Sequence, residues 1–237
     1  MNNEFRFNYI KEIYIPAVDF FSNSFFKRLL PAFGNLENEA NQISEKEFQR
    51  LCSLPGDENV DGAELTEIAQ DVAISWYEGM YNMRQATINL HAVGIFHLFE
   101  QQMYELARIA LHLGKKQVNS KIYKTKQAFN NAGIDVEKLP SWKIIYEELR
   151  LVANTVKHSD GKSCSDLKNK RPELFVAPSL PSSSFLNKPD QVFQPLAGDL
   201  YLTEDHLREY IAAVKEFWSE FSSCIELLGT EKTSDAS

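Results

Sequence analysis

The sequence predicts an all-α protein, and two patterns in it carry that prediction. Apolar residues recur at alternating three- and four-residue steps through several long stretches, which is the spacing of one buried helix face. No set of short segments shows the two-residue alternation of half-buried strands, and no internal repeat is found. A chain of 237 residues, 43% of them hydrophobic, is long enough to bury a core. We expect a helical bundle over residues 61–229, an N-terminal helical extension over 1–60 and a flexible tail over 230–237.

The N-terminal extension is predicted to begin with two helices, residues 4–14 and 17–30, which Pro16 separates. A polar helix is predicted over residues 35–51. Between residues 35 and 71 the chain has ten acidic residues and only two basic ones, Lys46 and Arg50. This composition indicates a solvated outer face and argues against an RNA-binding surface there.

Residues 63–113 form the centre of the predicted bundle, either as two helices or as one helix kinked near Gly79. The second half is apolar on nearly all sides, so we expect neighbouring helices to bury it. A polar row runs through it, consisting of His97, Gln101, Tyr104 and Arg108, with Glu100 adjacent. Because buried polar groups need partners, we expect His97 or Glu100 to contact a second polar row that contains Arg150.

A basic run, short helices over residues 128–134 and 163–169, a long loop and a last helix complete the predicted organisation. A basic run follows Gly114. Residues 115–126 contain no acidic residue and have lysines at positions 115, 116, 121, 124 and 126. Residues 172–195 contain five prolines and a run of serines, which predicts a long Pro/Ser-rich loop before the last helix. Thr203 is expected to cap that helix and Gly229 to end it.

The residues that point to a function lie in a helix predicted from Trp142 to His158, with Ser141 as its N-cap. Its buried stripe is predicted to consist of Trp142, Ile145, Leu149, Val152 and Val156. Arg150, Asn154 and His158 follow one another at four-residue steps. At about 100° per residue they form a polar row roughly opposite the buried stripe. Lys157 and Lys162 flank the end of this row.

The row and the residues after it resemble the signature of the HEPN superfamily, small α-helical bundles of which many are metal-independent ribonucleases. The family motif is an Arg, then a polar residue that is often Asn, then a His after a short gap. Asn154 and His158 match its second half. The first half departs from it, because Ala153 directly precedes Asn154, while Arg150 lies one helical turn earlier on the same side. The segments 157–161 and 171–175 also look like those of bacterial proteins of this kind.

The resemblance implies metal-independent cleavage of RNA by the substrate's own 2′-OH. His158 would act as general acid or base, Arg150 would offset the developing charge, and Asn154 would orient the phosphate or the imidazole. The expected RNA-binding residues are Lys157, Lys162, Lys115 and Lys116, with His97 and Glu100 as supporting polar groups. The resemblance also implies a homodimer with a shared cleft, to which Leu151 and Ile144 would add apolar contact. It further suggests a toxin–antitoxin or phage-defence system with an antitoxin or other partner.

Two other interpretations remain open from the sequence. Ala153 in place of Arg favours a non-catalytic HEPN-like module that binds a nucleotide or a protein partner. An ordinary hydrated helix face also produces polar rows at four-residue steps.

Composition narrows the remaining function classes. A net charge of −8 argues against a general nucleic-acid coat protein. Three widely spaced cysteines predict neither a disulfide framework nor a zinc site and favour the reducing cytoplasm. We see no secretory signal and no apolar run of membrane-spanning length, so no membrane partner is expected. No phosphate-binding glycine loop or metal motif occurs, and His97 with Glu100 lacks a second pair, so no cofactor and no metal are predicted.

Overall fold

The computed structural model describes residues 9–55, 61–111, 113, 121–178 and 200–234, and the regular elements within these ranges are all helical. The all-α prediction is therefore confirmed. Helix α1 joins Ile10–Tyr14, Ile15–Ser24 and Phe25–Leu29, and the later helices are α2 (Leu36–Cys52), α3 (Gly62–Ala110), α4 (Ile122–Asn131), α5 (Pro140–Ile144, Ile145–Leu149 and Arg150–His158), α6 (Lys162–Lys170) and α7 (Glu204–Ser234). Short 3₁₀ turns lie at Leu30–Phe33, Val136–Lys138 and Pro172–Phe175.

Helix α1 runs unbroken through Pro16, where the sequence predicts a break. A proline inside an α-helix lacks an N–H donor, and its ring collides with the carbonyl four residues earlier. Here the turn before it, Ile10–Tyr14, is a wider π-helix, in which the N–H of Ile15 donates to the carbonyl of Ile10. A second π segment, Phe25–Leu29, precedes Pro31 in the same way. The helix therefore passes Pro16 by widening, and it ends where the 3₁₀ turn that contains Pro31 begins.

Helix α3 is one helix of 49 residues that passes Gly79 without interruption. The side chain of Asp61 caps its start by accepting from the N–H of Ala63 at 3.0 Å. At a rise of about 1.5 Å per residue it is roughly 74 Å long. The large apolar side chains of α3 from Ile88 onward are buried or half-buried, with one exception. Leu90 is 59% exposed, so the helix is not covered on every side.

The main core surrounds the second half of α3 and draws on α1, α5 and α7. Aromatic rings of α3 and α7 meet there: the centroids of Phe99 and Phe217 lie 4.9 Å apart. Gln102 ties three helices together, because its amide donates to the carbonyl of Tyr14 at 3.1 Å and accepts from the indole N–H of Trp218 at 2.7 Å. Helix α1 thus contributes to the same core as the later helices. The predicted domain boundary at residue 60 stays a prediction.

Helix α2 packs against the first half of α3 and forms a second, smaller core with it. The buried residues of this core are Leu36, Ala40, Ala73 and Tyr77. We call α2 together with residues 61–80 the arm. The arm is a helical hairpin that carries most of the acidic residues of the N-terminal third.

The segment before α7 is fastened to α3 by buried amides. Asn89 donates to the carbonyl of Leu200 at 2.7 Å, and Gln85 donates to the carbonyl of Leu202 at 2.8 Å. Thr203 caps α7 as predicted, because its hydroxyl accepts from the N–H of His206 at 3.3 Å. Helix α7 continues to Ser234, past the end that the sequence predicts at Gly229. Most of the predicted Pro/Ser-rich loop, residues 179–199, lies outside the described residues.

Candidate functional site

Helix α5 ends at His158 as predicted and presents the predicted row. Arg150 and Asn154 are half-buried and His158 is exposed at the last turn, while Ile145, Leu149 and Val152 are fully buried. The buried face is broader than the predicted stripe: Leu151 is 4% exposed and Ala153 is 0% exposed. Leu151 therefore belongs to the core of the monomer, and the expectation that it contacts a second copy is wrong.

The start of α5 also differs from the prediction. Ser141 is not the N-cap, since the helix begins at Pro140. The Ser141 hydroxyl is buried and donates to the Glu220 carboxylate of α7 at 2.5 Å. Ser141 thus holds α5 against α7. At the other end, Ser159 has a φ of +53° and ends the helix two residues before Gly161.

Arg150 has its partners on its own helix. Its Nε donates to the carbonyl of Tyr146 at 2.9 Å, and its guanidinium carbon lies 4.6 Å from the centroid of the Tyr146 ring. That ring in turn stacks on Trp142 with centroids 5.0 Å apart. The guanidinium is therefore oriented by aromatic contact and keeps one edge on the half-exposed side of α5.

Glu100 of α3 connects the long helix to α5 and α4. Its half-buried carboxylate accepts from the backbone N–H of Ile122, the first residue of α4, which has no side-chain cap of its own. Burial raises the pKa of Glu100, and the nearby charges of Lys157, His97 and Arg150 oppose that rise. The charges of the α5 row act on Glu100, but the expectation that Glu100 or His97 contacts that row stays a prediction. A half-buried carboxylate thus serves as an acceptor at the start of α4 and is within electrostatic reach of the cations of α5.

The remaining predicted site residues lie around this centre or outside the described ranges. His97 is exposed on α3, and its Nε2 lies 2.9 Å from the side-chain amide of Gln101. Lys157 and Lys162 are exposed at the end of α5 and the start of α6. Lys115 and Lys116 lie outside the described residues.

Sequence reasoning missed an ionic cluster at the back of α5. Arg171 pairs with Glu148 of α5 and with Glu173, and the hydroxyl of Tyr210 in α7 donates to the same Glu148 at 2.8 Å. Leu174 is buried, and its carbonyl accepts from the N–H of Tyr201 at 2.7 Å. The segment 171–175 therefore holds α5 against α7, and its two charged residues are engaged within the chain. Nothing in the sequence indicated that Tyr210 would bind Glu148. Its four-residue spacing from Val214, and the other apolar residues of α7, indicated only a buried helix face.

Three further observations concern metal ligands, membrane-spanning helices and surface pockets. Within the described ranges, no three His, Cys, Asp or Glu side chains group together as metal ligands. Helices in the same ranges lack the combined length and apolar character that crossing a bilayer requires. A surface pocket of about 580 Å³ lies at the start of α7, between Arg84, Glu173 and His206, away from the α5 row.

Comparison with known proteins gives no relative for this chain. No family model, no curated protein and no solved structure matches it. Any function therefore has to be inferred from the site itself.

Proposed function

We propose that the chain is a HEPN-like, metal-independent endoribonuclease whose reacting groups are Arg150, Asn154 and His158. The observation that carries the proposal is the arrangement on α5: two half-buried polar side chains lead to an exposed imidazole on the side away from the core. The neighbouring residue Lys157 adds an exposed cation. A phosphodiester that lies along this side would meet a guanidinium, an amide and an imidazole in succession.

In the proposed reaction the RNA 2′-oxygen attacks the adjacent phosphorus, and the bond from phosphorus to the 5′-oxygen breaks. The products are a 2′,3′-cyclic phosphate and a 5′-hydroxyl, so neither a metal nor a water is consumed. His158 takes the 2′-OH proton or returns one to the leaving 5′-oxygen. Arg150 balances the charge that develops on the phosphorane, and Asn154 orients a phosphate oxygen or the imidazole.

The substrate is held by sequence-independent contacts in this proposal. Lys157 and Lys162 bind backbone phosphates, and the same role is proposed for Lys115 and Lys116 from the sequence. Glu100 and His97 position the cations of α5 rather than contact RNA. We further propose a cytoplasmic homodimer that works in a toxin–antitoxin or phage-defence system with an antitoxin or sensor partner.

A second candidate function is a non-catalytic HEPN-like module that binds a nucleotide or a protein. The observation that favours it is the state of Arg150, whose guanidinium rests on Tyr146 while the family's arginine position is occupied by buried Ala153. A module of this kind keeps the positive side of α5 and the contacts to phosphate, but performs no proton transfer.

Cleavage of RNA in the presence of EDTA tests the first candidate. The wild type is compared with His158→Ala and with Lys138→Ala, a control whose side chain is 82% exposed outside the proposed site. Cyclic phosphate formed by the wild type and the control, but not by His158→Ala, supports the nuclease. RNA or nucleotide binding without cleavage supports the module instead. Cleavage that survives in His158→Ala, or a protein that neither binds nor cleaves, contradicts the proposed site.

A further inference from the structure

Three cations form a line along the exposed side of α5. Lys143, Arg150 and Lys157 follow one another at seven-residue steps, so each lies about 10 Å further along the axis and within about 20° of the one before it. Lys143 and Lys157 are exposed, and Arg150 is half-buried. Glu147 lies beside this line but is paired with Lys170 of α6 at 2.5 Å. We call the three cations the α5 cation line.

Helix α4 lies beside the α5 cation line and runs antiparallel to α5. It ends at Asn131 and α5 begins at Pro140, and helices joined by a connection this short pack as antiparallel neighbours. A side-chain contact joins the two helices, because Nζ of Lys126 lies 5.6 Å from the centroid of the Tyr146 ring. The guanidinium carbon of Arg150 lies 4.6 Å from the same centroid. Lys126 of α4 and the middle of the α5 cation line therefore approach one ring.

The start of α4 lies level with the second half of α5. The N–H of Ile122 donates to the Glu100 carboxylate of α3. Burial raises the pKa of that carboxylate, and the charges of Lys157 and Arg150 oppose the rise, so both cations are within electrostatic reach of it. Tyr123 is the next residue of α4. In the antiparallel pair it therefore lies level with residues 150–157 of α5.

Tyr123 is a large aromatic residue on the flank of α4 nearest to α5, and it is 47% exposed. It precedes Lys126 by three residues, which places the two positions about 60° apart around the helix. Nζ of Lys124 lies 5.4 Å from the centroid of the Tyr123 ring, and Lys126 also pairs with Glu137 at 3.0 Å. Residues 121–126 contain three lysines and no acidic residue, in a chain whose net charge is −8. The ring therefore lies in a locally cationic part of an acidic protein.

The rings of Tyr123 and Tyr146 differ in what they can bind. The ring of Tyr146 stacks on Trp142 with centroids 5.0 Å apart and carries the guanidinium of Arg150, so contacts within the chain already occupy it. Nearly half of the surface of Tyr123 is open to solvent. Exposed aromatic side chains among cations stack on the bases of single-stranded nucleic acids, while the cations hold the backbone. Tyr123 is therefore the ring that can accept a base.

We propose that Tyr123 stacks on an unpaired base of the RNA whose phosphate Arg150 binds, so that the substrate is single-stranded where it is cleaved. This inference rests on the function proposed for α5 and adds its substrate class. In a duplex the faces of each base are covered by its neighbours, and only the backbone and the base edges in the grooves are open to a protein. The backbone follows the α5 cation line, and Tyr123 accepts any base because every base has a π-face.

Binding of an RNA strand that cannot be cleaved tests the stacking. A labelled strand of about ten nucleotides with 2′-O-methyl groups has no 2′-OH to attack, and fluorescence anisotropy measures its affinity. Tyr123→Ala should weaken binding at least about fivefold, the lower end of what one stacked base contributes, whereas Tyr123→Phe keeps the ring and should bind like the wild type. Phe20→Ala removes a 77% exposed ring of α1 and is the matched control, which should have no effect. Equal affinities of Tyr123→Ala and wild type, or equal losses in both Tyr123 variants, overturn the proposal.

The same strand annealed to its complement tests whether the substrate is single-stranded. The duplex should bind more weakly than the single strand, and Tyr123→Ala should leave its affinity unchanged, because its bases stay in their own stack. A duplex that binds as tightly as the single strand, or that loses as much affinity in Tyr123→Ala, overturns the proposal.

The salt dependence of single-strand binding tests the path of the backbone. Lys143→Ala should reduce the slope of log affinity against log salt concentration by about 0.7, which is the loss of one phosphate contact to a single strand. Lys138→Ala, whose side chain is 82% exposed in the turn before α5, is the control and should keep the slope of the wild type. An unchanged slope in Lys143→Ala, or equal changes in the two variants, overturns the path along the α5 cation line.

Cleavage of unmodified RNA in EDTA separates this inference from the proposed function. Tyr123-dependent binding by a wild type that forms no cyclic phosphate supports the stacking site and contradicts the nuclease. Cyclic phosphate formation that Tyr123→Ala leaves unchanged in both KM and kcat supports the nuclease and overturns the stacking site. A higher KM for the single strand in Tyr123→Ala supports both, and a wild type that binds no RNA overturns both.

Discussion

The stability of the protein should fall steeply between pH 6.5 and pH 4 because of one buried imidazole. His91 of α3 stacks on two rings of α1, with centroid distances of 4.5 Å to Phe21 and 4.0 Å to Phe25. Its Nε2 is buried and has no hydrogen-bond partner among the described residues. Removal from water disfavours the imidazolium and lowers the pKa of His91 from 6.5 to about 4.

The size and sign of the effect follow from the difference between the pKa of His91 in the folded chain and its pKa in the unfolded chain. As the pH falls below 6.5, the unfolded chain takes up a proton at His91 that the folded chain does not, so the free energy of unfolding decreases. A lowering of about 2.5 pKa units corresponds to about 3 kcal/mol, of which about 2 kcal/mol is lost by pH 5. The loss is complete once the pH has passed below about 4, where both states are protonated. Above pH 6.5 the imidazole is neutral in both states and has no such effect.

Urea unfolding followed by tryptophan fluorescence at a series of pH values measures this loss. Carboxylates also titrate over the range, so the informative quantity is the difference between wild type and His91→Gln. This difference should change by about 2 kcal/mol between pH 7.5 and pH 5. His97→Gln removes an exposed imidazole from the same helix and is the control. A difference curve for His91→Gln that is flat with pH would show that the imidazole is not held neutral between the two rings.

Three further predictions concern α3 and its neighbours. Gly94→Ala should destabilise the fold by about 1–3 kcal/mol, because the added Cβ would lie 2.6 Å from Cζ of Phe21, and a double variant with Phe21→Leu should recover most of the loss in a double-mutant cycle. Asn89→Ala should cost about 1–3 kcal/mol in urea unfolding, since it leaves the buried carbonyl of Leu200 without its donor. Glu100→Ala should cost about 1 kcal/mol by removing the acceptor at the start of α4, whereas Glu100→Gln, which keeps an acceptor, should lose less in thermal unfolding followed by circular dichroism.

Periodicity predicted the helices and their buried faces because burial imposes a fixed angular spacing on each helix. The apolar residues Ile88, Ile95 and Phe99 of α3 and the row on α5 follow from that spacing alone. That Glu100 would have a polar partner was also predictable, since a polar residue within an apolar helix face needs one, and here the partner is the backbone N–H of Ile122. These inferences require only that each helix is packed on one side.

Features that depend on which helices meet could not be predicted in this way. Leu90 is apolar yet exposed, because α1 covers only the adjacent face of α3. Ser141 has the residue type of an N-cap, but Glu220 of α7 binds its hydroxyl instead. Pro16 predicts a break, yet a π turn accommodates it. In each case a tertiary contact or a local change of helix type overrides the residue's own preference.

The position of Ala153 explains how far the resemblance to HEPN nucleases extends in this chain. Ala153 is fully buried on the core side of α5, so an arginine there would place a guanidinium among apolar side chains at a cost of several kcal/mol. The guanidinium that shares a side with Asn154 and His158 is that of Arg150. Its present partners are one carbonyl and the ring of Tyr146, which together contribute about 1–2 kcal/mol.

A phosphate offers the same guanidinium two charge-assisted hydrogen bonds, each roughly twice as strong as a neutral one. Under the proposed function, RNA would bind Arg150 in competition with a weaker contact, and the side chain need not cross the core to reach it. A Tyr146→Leu substitution removes the internal contact and should strengthen RNA binding in a fluorescence-anisotropy titration, with Arg150→Ala as the reference for complete loss. If the affinity for RNA falls in Tyr146→Leu, the ring orients the guanidinium for the phosphate. The argument that Tyr146 and the phosphate compete for Arg150 would then be wrong.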